Sequence, residues 1–261
     1  MNPRGAETQR RKNPQNRIAE TNGRARKSLG ATSQISSTPP RLRGENDWLL
    51  WQLADSAFPT GGFAHSAGLE AAWQHGEVRS RDELASYLEA SLRQAGSAVL
   101  PFVMAAYDEP DRIDDLDHLC EAFTTNHVAN RASRLQGRAL LSAVERIFKP
   151  EGRRANSGME PAFAHLAPVF GFVMRHLDVP RDTAARMFLF NYLRSLLAAA
   201  VRLNIVGPME AQAMQHRLAP NAEEILQDCS TLALDDLAQT APLLDLWQGA
   251  QDRLYSRLFQ S

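Results

Sequence analysis

Cysteine is almost missing: Cys120 and Cys229 are the only two in 261 residues. That excludes a disulfide framework and any cysteine-rich zinc module, and it makes a reducing cytoplasm the expected compartment. Strand-forming side chains are also scarce. Val and Ile together number 16, against 70 for Leu and Ala. Branched side chains favour strands and Leu/Ala favour helices, so a sheet-dominated fold is not expected. No G-x-x-x-x-G-K-[ST], G-x-G-x-x-G or H-E-x-x-H run occurs, so nucleotide binding by this chain alone and a helical zinc-hydrolase site are not expected. There is no long uncharged apolar run either. The nearest approach, Met187 to Val206, contains Asn191, Arg194, Arg202 and Asn204. A bilayer span needs about 20 largely uncharged residues, and a central Arg costs about 2.5–3.5 kcal/mol, so this run reads as a buried core helix.

What the sequence does have is a split in charge. Residues 1–44 hold ten basic residues against two acidic ones, a net of +8, whereas residues 45–261 carry a net of −9. The first 44 residues show no aromatic side chain and no apolar periodicity. Such a stretch cannot bury enough surface to offset its ordering entropy, and it is expected to be a disordered basic tail. It holds no apolar stretch of the kind a secretory signal needs. An organelle transit peptide or a nucleic-acid arm is the competing reading, but its Arg residues are dispersed rather than striped along a helix. Pro39-Pro40 marks the boundary with the domain that follows, residues 45–261.

That domain reads as a single all-α helical array of about nine or ten helices. A first helix runs from Trp48 to Ala54 with Asp47 as cap, and Phe58-Pro59-Thr60-Gly61-Gly62 forms a tight turn after it. Helical spacing resumes from His65 to His75. Ser80 and Glu83 make a capping-box pattern ahead of an apolar face through Leu84, Leu88, Leu92 and Ala95, with a restart near Pro101. One long helical segment is expected from Ile113 to Phe148, followed by a loop over Lys149–Gly158. Further helices are expected over Pro161–Leu177 and Thr183–Val206, the latter stopped by Gly207-Pro208. Two short helices, Met209–Leu218 and Ala222–Cys229, come next. A last helix is expected from Thr240 to Leu258.

The candidate chemistry is sparse. His65 lies just after the Gly61-Gly62 turn, so it or Ser66 either caps a helix or contacts a partner or a transient metal. A Ser66/His65 nucleophile pair is disfavoured, since adjacent helical residues do not face each other and no G-x-S-x-G elbow is present. Arg131, Arg134 and Arg138 share one helix face, either solvated or offered to an acidic partner. Arg253 and Arg257 stand beside Tyr255 and Phe259, whose aromatic/Arg composition suits an interface, with core packing of the two rings as the alternative. A binding or assembly role fits this pattern better than catalysis, and a nucleic-acid role is opposed by the acidic body.

Leu49–Gln74 reads LLWQLADSAFPTGGFAHSAGLEAAWQ and resembles the opening of the urease accessory protein UreF family, with its D-S-x-x-P-x-G-G-F-x-H-S-x-G-L-E pattern. Three later blocks resemble the same family in the same order: NHVANRASRLQGRALL at 126–141, the stretch containing AAAVRLNIVGPMEAQ within 193–212, and LYSRLFQS at 254–261. The resemblance implies an all-α homodimer that acts as a cytoplasmic maturation chaperone. It further implies assembly with UreD (also called UreH), the GTPase UreG and apo-urease, supporting GTP-dependent nickel insertion. No enzymatic centre, nucleic acid, membrane or stably bound cofactor is implied, and nickel would pass only transiently. The partner-contacting residues it suggests are Pro59, Gly61, Gly62, Phe63, His65, Ser66, Arg253, Tyr255, Arg257 and Phe259, with His65 the sole candidate to touch metal. Members commonly carry His-Glu before the last block and Arg before its final Ser, where this chain has Gln251-Asp252 and Gln260. The alternative function is activation of the partner GTPase through an arginine finger drawn from Arg131, Arg134, Arg138 or Arg257.

Overall fold

Each helix in the computed structural model can be traced to the local chemistry that starts or stops it. The structure describes residues 43–148 and 161–261, with side chains from residue 47 onward. The expected tail over 1–44 (apart from its last two residues) and the expected loop over 149–158 lie outside the described residues. Among those described there are ten α-helices, four short 3₁₀ turns and no strand, as an all-α array requires. The helices are α1 (Arg43–Ala54), α2 (Leu69–Gln74), α3 (Arg81–Ala98), α4 (Leu100–Asp108), α5 (Ile113–Phe123), α6 (His127–Ile147), α7 (Leu166–His176), α8 (Arg181–Arg202), α9 (Pro208–Cys229) and α10 (Pro242–Ala250). None is long and apolar enough to cross a membrane.

Two boundaries follow the sequence closely. Ser80 Oγ accepts from the Glu83 amide at 3.2 Å, and the Glu83 carboxylate accepts the Ser80 amide at 2.8 Å, which completes the capping box of α3. Pro101 stands in the first turn of α4, where its missing N–H costs nothing, so the helix restarts there.

Several boundaries differ from expectation. Helix α1 opens at Arg43 rather than after Asp47, inside the stretch assigned to the tail. The single helix expected over 113–148 is two, because the Asn126 side chain accepts the Val128 and Ala129 amides at 3.0 and 3.2 Å and starts α6 afresh. Helix α7 begins at Leu166, later than expected, because the buried Asp117 carboxylate draws the Phe163, Ala164 and His165 amides onto itself at 2.7–3.0 Å. Helix α8 stops at Arg202 because Asn204 takes the left-handed conformation (φ 58°) and Ile205 donates back to the Ala200 carbonyl at 3.0 Å. Gly207-Pro208 therefore opens α9 instead of closing α8. The two short helices expected next are one, since α9 continues through Pro220. Its buried positions Ala211, Met214, Leu218, Ile225 and Cys229 keep one face across the proline, so packing outweighs the lost hydrogen bond. The last helix ends early: α10 stops at Ala250, and after the 3₁₀ turn Gln251–Arg253 no helix is formed.

The core is centred on α4, α7 and α8. Helix α4 is buried almost all round through Leu100, Phe102, Val103, Met104, Ala106 and Tyr107, as its nearly continuous apolar sequence demands. It packs on α7 at very close range. A Cβ on Gly171 would stand 2.0 Å from the Val103 carbonyl oxygen, so only glycine admits this approach. Gly137 of α6 plays the same part toward the Ala164 carbonyl preceding α7, at 1.9 Å.

Candidate functional site

The turn after α1 is shaped from within. Asp55 Oδ1 accepts the Ala57 amide at 2.9 Å, and the Asp55 carbonyl accepts the Phe58 amide at 3.1 Å. Phe58 is buried and stacks on Phe148, with ring centroids 6.2 Å apart. Pro59 is exposed beside it. Gly61 adopts φ 73°, a conformation that side chains resist, and leads into the 3₁₀ turn Gly62–Ala64. That turn holds Phe63 outward at 71% exposure, and its carbonyl accepts from the Arg202 guanidinium.

Past the turn, His65 is extended rather than helical (φ −123°, ψ 132°), which corrects the expected helix over 65–75. Ala67 (φ 50°) and Gly68 (φ 88°) then reverse the chain into α2. A Cβ at Gly68 would stand 2.8 Å from the Gln248 amide nitrogen, so α2 starts flush against α10. The Tyr87 hydroxyl donates to the Ala67 carbonyl at 2.8 Å and holds this left-handed pair in place.

The segment Leu254–Ser261 returns to that turn. The Ser66 amide and hydroxyl both donate to the Ser261 carbonyl oxygen, the hydroxyl at 3.1 Å. His65 Nδ1 lies 2.6 Å from Ser261 Oγ, and the Gln260 amide donates to the Ala64 carbonyl at 2.8 Å. Glu70 anchors the middle of the segment. Its buried carboxylate accepts the Leu258 and Phe259 amides at 2.6 and 3.1 Å and the Gln251 side-chain amide at 2.6 Å. A buried carboxylate is tolerable only when so supplied with donors. Phe259 is 4% exposed, with the Arg202 guanidinium 4.2 Å from its ring centroid.

These placements sort the candidate residues. Pro59, Gly61, Gly62, Phe63, His65, Ser66 and Phe259 all belong to one neighbourhood, but His65, Ser66 and Phe259 face inward. Phe259 is thus a core ring and not part of the expected surface patch, while Tyr255 is fully exposed. Arg253 and Arg257 are exposed as well. Burial, and after it the Arg131 guanidinium, push the His65 imidazole below its ordinary value, favouring a neutral ring. Of the arginines weighed as a finger, Arg131 grips Asp252 with both terminal nitrogens at 2.8 and 3.0 Å, and Arg257 reaches the same carboxylate at 2.9 Å. Arg134 lies 3.8 Å from Glu121 and over the Phe163 ring. Arg138 is exposed. Among the described residues no three His, Cys, Asp or Glu side chains gather as a metal-holding group.

Three contributors escaped the sequence reading: Glu70, Gln251 and Asp252. Glu70 sits within the matched opening pattern and Gln251-Asp252 just before the matched closing block, so pairing the two blocks in space was the available signal. A pocket of about 260 Å³, open to solvent along the exposed Asp55, Thr125 and Gln239, also has Phe102, Cys120, Phe170, Asn191, His65 and Ser261 on its walls.

Residues 78–219 match the sequence model of the UreF family. The Urease accessory protein F of Oryza sativa subsp. japonica is 40% identical over 219 residues, covering 81% of this chain and 84% of the relative. The chain belongs to the UreF family. Urease accessory protein F of Arabidopsis thaliana is 42% identical over 221 residues, covering 82% of this chain and 92% of its own. A more distant UreF, from Bacillus sp. (strain TB-90), is 26% identical over 221 residues. The UreF model begins after the turn at Gly61 and ends before Leu254, so both segments of the candidate site lie outside its match.

Proposed function

We propose that this UreF-family chain is a urease accessory protein that works in urease maturation as a non-catalytic scaffold. In this reading it bridges UreD (UreH) and the GTPase UreG on apo-urease, as a homodimer in the cytoplasm, and supports GTP-dependent nickel insertion. The observation that carries the reading is the site's division of labour. A rigid helical frame turns Phe63, Tyr255, Arg253 and Arg257 outward on two segments that are laced to each other by Ser66, Glu70 and Ser261. Exposed aromatic and Arg side chains on a fixed platform are the composition of a protein interface, where a few such anchors carry most of the binding energy. The relatives' name, Urease accessory protein F, supports the choice of process.

Holding a GTPase in one nucleotide state requires only that the scaffold bind that state more tightly than the other. Nickel, as cargo, needs a protected route rather than a tight site, which would retain it. His65 is the proposed contact on such a route, as a neutral imidazole on the pocket wall.

The test is reconstituted urease activation with purified UreD, UreG, apo-urease and nickel. The double substitution Phe63→Ala/Tyr255→Ala should abolish co-elution of the partners and activation while leaving the helical circular dichroism unchanged. His65→Ala should leave assembly intact and reduce activation. Full co-elution by the double variant contradicts the scaffold surface, and normal activation by His65→Ala removes that ring from the nickel route.

A further inference from the structure

The pocket of about 260 Å³ holds polar groups that nothing in the fold uses. Its walls are mostly apolar, with Phe102, Phe123, Phe170, Phe188 and Leu196 among them. Asp245 of α10 interrupts them. Its main-chain carbonyl accepts from the Asn126 side chain at 2.7 Å, but its carboxylate has no hydrogen bond or ion pair among the described residues. Partial burial, with no compensating donor or cation, pushes this carboxyl above its ordinary value. The Tyr192 hydroxyl on the same wall is idle too. Burial first, and the Asp245 charge second, push it up to about 12, so it keeps its proton. The neighbouring Asn191 makes no side-chain hydrogen bond among the described residues, although its Oδ1 is buried. Buried polar groups are normally satisfied and desolvated charges normally paired, so three idle groups in one apolar pocket mark a place for a guest.

The charge balance gives the sign of that guest. The other ionic side chains on the walls are Asp55 and Arg194. Arg194 donates to the Ala54 carbonyl and lies in the field of Asp55, so these two offset each other. Asp245 is left as the unbalanced charge, in a body whose net −9 over residues 45–261 draws cations toward it. No His, Cys, Asp or Glu side chains join it as a metal-holding group among the described residues. A single carboxylate among aromatic walls suits an organic cation better than a bare metal ion. We infer that this pocket binds a small organic amine, with the ammonium group on Asp245 and the apolar body against the phenylalanine walls. An ammonium carries three donors and no acceptor, which complements a carboxylate and a phenol oxygen. The volume leaves room for a guest of one ring and a short chain. The inference does not rest on the nickel route, whose proposed contact is His65.

The experiment is isothermal titration of the full chain at pH 7 with 2-phenylethylamine, and with 2-phenylethanol and 3-phenylpropionate as neutral and anionic probes of similar shape. The amine should bind one per chain with a Kd of about 1 mM or tighter. The alcohol should bind more weakly and the anion not at all. Asp245→Asn keeps the shape and removes the charge, and it should weaken the amine about tenfold or more while leaving the alcohol unaffected. Asp235→Asn removes an exposed acid outside the pocket and should leave the amine's affinity unchanged. The empty Asp245→Asn variant should melt at or above the parent's temperature, because the unpaired carboxylate costs the unoccupied fold stability. Failure of the amine to bind by about 10 mM overturns the proposal. So does equal binding of the alcohol or the anion, an equal loss in the Asp245→Asn and Asp235→Asn variants, or an amine affinity untouched by Asp245→Asn. A lowered melting temperature for Asp245→Asn would show that the carboxylate already has a structural partner, and overturns it as well.

Discussion

At the scale of single residues, the molecule depends on glycines for what they lack. Gly171 lies mid-helix in α7, where propensity alone favours alanine by about 1 kcal/mol. The structure predicts the opposite sign. A methyl group there would meet the Val103 carbonyl oxygen at 2.0 Å, and both partners are backbone in buried helices, so neither can step aside. Gly171→Ala should therefore destabilise the fold by about 1–3 kcal/mol, the cost of an overpacked core. Differential scanning calorimetry should show a midpoint several degrees lower, and a raised midpoint would mean that α4 and α7 are not in this contact. Glu70 shows a complementary economy. Placed in the first turn of α2, it benefits from the helix N-terminus while accepting the Leu258 and Phe259 amides, so one carboxylate serves two segments. Gln251 meets that same carboxylate from the 3₁₀ turn after α10. In this chain the Gln251 amide does so without a charge, leaving its Oε1 unpartnered among the described residues.

At the scale of elements, the sequence made the helices legible and their ends only sometimes so. The capping box at Ser80 was readable because both of its partners lie within four residues. Ser80→Ala should cost about 1 kcal/mol, measurable as a lower urea midpoint with unchanged slope, because one side-chain cap is lost and nothing else moves. An unchanged midpoint would mean that Glu83 alone satisfies the helix start. The ends that went astray were decided by tertiary partners. Asn126 begins α6 and also donates to the Asp245 carbonyl of α10 at 2.7 Å, a tie across 119 residues that no local pattern announces. Asp117 delays α7 from more than forty positions upstream, since its carboxylate collects the three amides that would otherwise start a turn. Pro220 looked like a boundary, but its neighbours bury the same face on either side of it. The candidate site was legible to a similar depth. Gly61 could be placed from the turn chemistry, Phe63 came only with the family resemblance, and the exposure of Tyr255 was one of two open readings. That Phe259 turns inward while Tyr255 turns out followed only from the chain leaving the helix at Ala250, where the expected periodicity gave no stop.

At the scale of the whole molecule, stability should depend on pH in two separate windows. His65 is held below its ordinary 6.5 by burial first and the Arg131 charge second, so the folded protein binds fewer protons at this ring than the unfolded chain. Stability then rises with pH where the two states differ. The contribution is undiminished above 6.5 and falls as acid protonates the unfolded chain's imidazole, down to the folded value. Asp252 acts in a lower window. The hydrogen bond from Arg131 leads, joined by the charges of Arg131, Arg257 and His127, and together they hold this carboxyl below its ordinary 3.8. Its contribution is complete above 3.8 and disappears only as pH drops through the folded value. Asp252 is largely open to solvent, so screening keeps its share small. Thermal midpoints recorded from about pH 7.5 down to about pH 3 should thus fall in two steps. His65→Gln, which cannot charge, should flatten the upper step and leave the lower one, whereas Asp252→Asn should spare the upper step and only trim the lower, since Glu83, Glu121 and Glu223 are also held below their ordinary value. Because His65 touches Ser261 and Asp252 touches α6 through Arg131, the two variants also probe opposite ends of residues 252–261. If the upper step survived in His65→Gln, the burial of that imidazole against Ser261 would be disproved.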